Sequence, residues 1–134
     1  MSDLSWKLVI AGQATIVETQ KRNGSWVRTS VSAVEGQGVA YFVTDSSSGK
    51  VKRIRNFRTV RVAASTYRGV PTGEFYAATA RRLEGAEGDE ALREIRRAHP
   101  VVFGVIIRVR YWVHRIDGAC FELSRLRPLD APER

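Results

Sequence analysis

The stretch with the clearest capacity for chemistry runs Thr44-Asp45-Ser46-Ser47-Ser48-Gly49-Lys50-Val51-Lys52-Arg53-Ile54-Arg55-Asn56. An apolar run enters three serines and a glycine, then a short basic segment in which Val51, Ile54 and Arg55 fall on one helical face. A phosphate at such a strand-to-helix junction accepts hydrogen bonds from serine hydroxyls and from the unpaired backbone N–H groups at the positive end of the helix. Lys50, Lys52 and Arg53 would add charge-assisted bonds to it. The pattern is not a nucleoside-triphosphate loop: the first glycine of GxxxxGK(S/T) and the Ser or Thr after its lysine are both missing, and no GxGxxG turn occurs. On composition alone a Ser-rich basic loop is more often a solvated turn than a ligand site, so the charge run by itself decides nothing.

The other reactive residue types are sparse. His99 sits beside an expected helix end and His114 in a basic stretch, and neither has a Cys or acidic partner at metal-ligand spacing, so no metal site is expected. Cys120, the one cysteine, lies between Ala119 and Phe121 and reads as a small core residue that can form no internal disulfide. Trp6, Trp26 and Trp112 read as packing residues before ring-stacking ones, and Arg108, Arg110 and Arg115 as a solvated face before ligands of a cofactor tail. No catalytic side chain is expected.

The elements that must position these groups belong to a chain of 134 residues, 43% hydrophobic, the size and composition of one domain, with residues 1–12 and 128–134 expected at its periphery. A domain this small leaves much of its surface exposed, and a ligand site is then often built between two copies of the chain, which points to a homodimer. The net charge of +8 favours anionic partners without choosing among phosphorylated ligands, nucleic acid and acidic surfaces. Leu8 to Gly12 is too short for a signal-peptide apolar core, and Val101 to Val113 is broken by Arg108 and Arg110 and falls short of the roughly 20 residues that cross a membrane. With a lone cysteine and no secretory leader, the expected compartment is a reducing cytoplasm.

Strand composition recurs at Ala14 to Thr19, Trp26 to Val34, Val39 to Thr44, Thr59 to Thr66 and Phe75 to Leu83. Asn23-Gly24 supplies a hairpin turn between the first two, and Gly69, Pro71 and Gly73 break the chain before the fifth. Leu8 to Gly12 reads as a first buried turn or strand. Five strands on short loops point to an antiparallel barrel or sandwich. The period then changes. Asp89 to His99 puts Ala91, Leu92, Ile95 and Ala98 on one helical face, acidic at its start, basic at its end and stopped by Pro100. Pro100 to Arg115 has strand composition with a competing helical stripe through Gly104, Arg108, Tyr111 and Arg115. Asp117-Gly118 is a turn, and Ala119 to Arg127 a last strand.

Taken together, Asp45, the run Ser48 to Asn56, Val60 to Ala63, and Arg68-Gly69-Val70-Pro71-Thr72-Gly73 ahead of a strand resemble the pyridoxamine-phosphate-oxidase-like split-barrel superfamily. Within it the chain is most similar to the flavin/deazaflavin oxidoreductases of actinobacteria, many of which use coenzyme F420. The likeness covers about Ala14 to Leu126. It implies a mainly β fold with a few helices, a six-stranded antiparallel split β-barrel of the FMN-binding type, dimeric, with F420 or FMN in a groove between subunits and a helix over Pro100 to Val113. Lys50, Lys52 and Arg53, with Ser47, Ser48 and Gly49, fall where the family holds the cofactor phosphate; Arg28, Thr29 and Ser30, with Val43 and Thr44, fall along the ring system. Thr29-Ser30-Val31-Ser32 replaces the Thr-Pro-Val-aromatic stretch common among relatives, which bears on flavin against deazaflavin.

The implied activity is hydride transfer between bound F420, or FMN, and a small organic acceptor, with the reactive atom supplied by the cofactor. Two other readings stay open: a barrel that binds or carries F420 or flavin without turnover, and a basic β-barrel binding nucleic acid through Arg53, Arg55, Arg58, Arg61, Tyr67 and Arg68.

Overall fold

The computed structural model describes residues 5–36, 38–45, 48–98 and 118–129. Three helices and seven strands follow in the order α1 (Trp6–Ile10), β1 (Ala14–Gln20), β2 (Trp26–Val31), β3 (Ala33–Gly36), β4 (Val39–Asp45), α2 (Gly49–Asn56), β5 (Thr59–Ser65), β6 (Tyr76–Leu83), α3 (Gly85–Ala98) and β7 (Gly118–Pro128). The strands form one sheet in the order β2-β1-β5-β6-β7-β4-β3, antiparallel at every pairing. Its two outer members, β2 and β3, are consecutive in the chain and separated only by Ser32. The two ends of the sheet order are therefore tied together, and the sheet must curl on itself as a barrel with a split at that junction.

This also accounts for the strand count. The sequence implies six strands; the described residues form seven because the extended run from Trp26 divides at Ser32, pairing with β1 on one side and with β4 on the other. Counted as one bent strand, β2 and β3 restore six.

The hairpin at Asn23-Gly24 forms as its residue types require. Gly24 takes φ +91°, its N–H donates to Lys21 O, and Lys21 N–H donates to Ser25 O, closing β1 onto β2. Core positions recur at alternate residues of β4, β5, β6 and β7, while β1 is buried along six consecutive residues. Val17, Val31, Ala40, Phe42, Val60, Val62, Ala78, Ala80, Phe121 and Leu123 share one core, and the Phe42 and Phe121 rings stack at 5.3 Å.

Two expectations change. Leu8 to Ile10 belongs to a helix, and residues 6–10 are not peripheral: Trp6 and Val9 enter the core, and Trp6 Nε1 donates to Gly38 O at 3.1 Å. A five-residue helix is visible only through its cap, Ser5 Oγ accepting from Lys7 N–H, and its one-sided burial. The second helix of the sequence reading starts at Gly85, four residues before Asp89, because Gly85 at φ +61° lets the chain turn directly from β6 into α3. Pro100 to Arg115, with His99, His114, Trp112 and the arginines between, lies outside the described residues.

Candidate functional site

The serine-glycine-basic segment forms the junction between β4 and α2. β4 ends at Asp45, whose carbonyl accepts from Ser48 N–H at 2.9 Å, and the helix begins at Gly49. Ser48 occupies the N-cap position, yet its side chain makes no capping bond. Its Oγ lies 3.3 Å from Thr44 Oγ1, a hydroxyl pair beside the start of the helix. The first-turn amides are thus left without the side-chain acceptor that an N-cap serine ordinarily supplies.

Ile54 is buried and Val51 half-buried in the core, which fixes the rotation of α2 and turns Arg53 toward β1. Arg53 Nε donates to Thr19 Oγ1 at 2.6 Å, and the guanidinium folds back under the first turn. A Cβ built on Gly49 would stand 2.5 Å from Arg53 Nη1. Glycine at this position lets the guanidinium lie against the backbone, and its backbone angles make no demand for it. Thr19 holds Nε, and both Nη groups lie against Gly49. The sequence offered no signal for Thr19, which lies 34 residues before its partner.

The remaining residues of the sequence set divide by strand face. Thr29 shares its face of β2 with Val31, which is in the core, and its Oγ1 donates to Val17 O at 3.1 Å. Thr44 shares its face of β4 with Ala40 and Phe42. Arg28 and Ser30 point to the opposite face of β2. Arg28 Nε donates to Glu18 Oε2 at 2.9 Å and its guanidinium lies over the Phe75 ring at 5.1 Å. Glu18 is buried and has Arg61 as a second cation at 3.9 Å, itself stacked over Trp26. Val43 is buried opposite Cys120, so its side chain is closed to a ligand and only its main chain could line a groove. On α2, Lys50 is half-buried and engaged, and Lys52 is exposed. Ser47 lies outside the described residues.

The structure therefore brings Thr44, Ser48, Gly49 and Arg53 together, with Lys50 and Lys52 on the same short helix. It sets Thr29 on the core-facing side and Arg28 and Ser30 on the other. This donor set, two hydroxyls, the start of a helix that the Ser48 side chain does not cap and a pinned guanidinium over a glycine, fits a phosphate ester. Cys120 is buried as the sequence implied, and burial pushes its thiol up to about 11. Among the described residues no cluster of His, Cys, Asp or Glu could hold a metal ion, and no helix is long and apolar enough to cross a membrane.

No protein-family model and no curated protein matches the chain. Solved structures do. The heme storage protein of Vibrio cholerae matches at TM-score 0.61 and 14% identity over 89% of this chain and 83% of that one. A pyridoxamine 5'-phosphate oxidase-related, FMN-binding protein of Nostoc punctiforme matches at TM-score 0.56 and 14% identity over 87% and 71%. An F420-H2-dependent reductase matches at TM-score 0.56 and 17% identity over 84% and 94%. The chain has the split-barrel fold of the pyridoxamine-phosphate-oxidase-like proteins.

Proposed function

We propose that this protein binds F420, or alternatively FMN, with the cofactor phosphate seated on Thr44, Ser48, Gly49 and Arg53, and serves hydride transfer to a small organic acceptor. What supports the reading most is the Arg53 guanidinium, tethered by Thr19 and lying against Gly49 at the start of a helix whose N-cap serine does not cap it. Neighbours of this fold that are described as FMN-binding and F420-H2-dependent point the same way.

The bound cofactor would supply the hydride-carrying centre. The chain's own residues hold and orient. Arg53, with Lys50 and Lys52, neutralises the phosphate charge; the Thr44 and Ser48 hydroxyls and the first-turn amides of α2 fix its position. Thr29 and the main chain of Val43 and Thr44 border the ring system, with Arg28 and Ser30 at its rim. The second wall of the groove comes from another copy of the chain, making the working unit a homodimer.

Titrating the purified protein with F420 and then with FMN, read by fluorescence, tests this. The expected result is saturable binding of one of them, lost in a Lys50→Ala, Lys52→Ala double variant that remains folded by circular dichroism. Unchanged affinity in that variant rules the site out. Binding of F420 without turnover against any acceptor would favour a carrier over an oxidoreductase.

A further inference from the structure

On the far side of α2 from Thr19, a cleft of about 390 Å³ opens between this helix and strands β6 and β7. Its apolar lining is the half-buried Val51, with the core residues Ile54, Ala80 and Phe121 almost wholly buried behind it. Around these stand four guanidinium groups, Arg55 and Arg58 from the end of α2 and the turn after it, and Arg81 and Arg82 from β6. The volume falls within the range of small-molecule sites, and an apolar floor with a few convergent polar groups is the usual construction of one.

The four arginines are not equivalent. Arg81 is held by Glu87 at 3.2 Å and Glu122 at 3.4 Å, and Arg82 faces Glu84, the one carboxylate among the described lining residues, at 3.9 Å. Among the described residues Arg55 and Arg58 have no acidic partner, so two cations on one rim lack a counter-charge. None of the residues proposed above for the cofactor lines this cleft.

We propose that this cleft is a second ligand site, which takes a small organic anion with an apolar body, a carboxylate or phosphate ester whose charged end meets Arg55 and Arg58 and whose apolar part lies on Val51. A wholly hydrophilic anion would leave Val51 in contact with water. A neutral apolar molecule would leave the two guanidinium groups without a counter-charge. The combination selects amphipathic anions. The site does not depend on the cofactor reading, since it draws on other residues.

The test uses phenyl phosphate and phenylacetate as probes, with benzyl alcohol as the neutral counterpart and inorganic phosphate as the purely hydrophilic one. Binding is followed by amide chemical shifts of the ¹⁵N-labelled full chain. Saturable shifts centred on residues 54–58 and 80–84 are expected for the two aryl anions. An Arg55→Ser, Arg58→Ser double variant should weaken them on the order of tenfold while leaving F420 or FMN affinity unchanged. Equal shifts from benzyl alcohol, shifts confined to residues 44–53, or undiminished binding in the double variant would each overturn the proposal. Because the probes and the cofactor are titrated separately, failure of one site does not obscure the other.

Discussion

At Gly49 a single methyl group separates two explanations of the β4–α2 junction. An alanine Cβ would come within 2.5 Å of Arg53 Nη1, the far end of a flexible side chain, so the guanidinium would swing aside and loosen its bond to Thr19. Alanine also favours the helix over glycine. The two effects oppose each other, and Gly49→Ala should leave folding stability within about 1 kcal/mol of the parent by chemical denaturation. Cofactor affinity should nevertheless fall roughly tenfold, because the phosphate loses its best-placed donor. A stable variant with unchanged affinity would mean that Arg53 is merely a strut. Cys120 makes a separate prediction. Its thiol, ordinarily near 9.0, is raised to about 11 by burial, so the folded state holds the proton more tightly than the unfolded one. The stability tied to the neutral thiol is complete below pH 9 and is lost as pH rises toward 11, by a difference of order 2 kcal/mol between the parent and Cys120→Ala in paired pH titrations of unfolding. Alkylation of Cys120 at pH 8 should be slow until the protein unfolds.

Among the elements, the strands were legible because their alternation is long and their turns carry glycine at positions that need it, as at Gly24 with φ +91°. What escaped was fixed by partners distant in sequence. The division of the second strand at Ser32 reflects pairing to β1 before it and β4 after it, which no local pattern records. α1 is helical because Trp6 finds Gly38 O and a place in the core, a match made across 32 residues. The serine-glycine-basic segment stood out as a motif, but the side chains around it did not, since Thr19 and the two faces of β2 decide which of them converge. β7 adds a feature of its own. Arg125 has φ +56° at the register shift where Ala77 pairs Arg127 and Thr79 pairs Ser124, so two residues of β7 oppose Ala78. A side chain in this left-handed conformation costs roughly 1 kcal/mol, and Arg125→Gly should recover up to about that much in denaturant unfolding without altering cofactor binding. The interior of the barrel has the opposite sensitivity. Phe42→Ala would remove a fully buried ring stacked on Phe121 and should cost about 3–5 kcal/mol in the same assay.

For the whole molecule, a net charge of +8 on 134 residues admits both a phosphorylated cofactor and a nucleic acid, and charge alone never separated them. The two differ in how binding responds to ions. Contacts spread over many nucleic-acid phosphates weaken steeply with salt, whereas a single phosphate held by a built cradle should tolerate moderate salt. A groove completed by a second copy also requires a dimer, so light scattering should return twice the 15.0 kDa chain mass at working concentration. The central claim, that the β4–α2 junction recognises a phosphate ester, is tested most directly by removing that group from the ligand. Affinities for FMN and riboflavin, and for the deazaflavin–ribitol core with and without its terminal phosphate, should be measured side by side by fluorescence titration. For whichever ring system binds, the phosphorylated form should bind at least on the order of a hundredfold more tightly, the contribution of two or three charge-assisted bonds. Equal affinities with and without the phosphate would contradict the account.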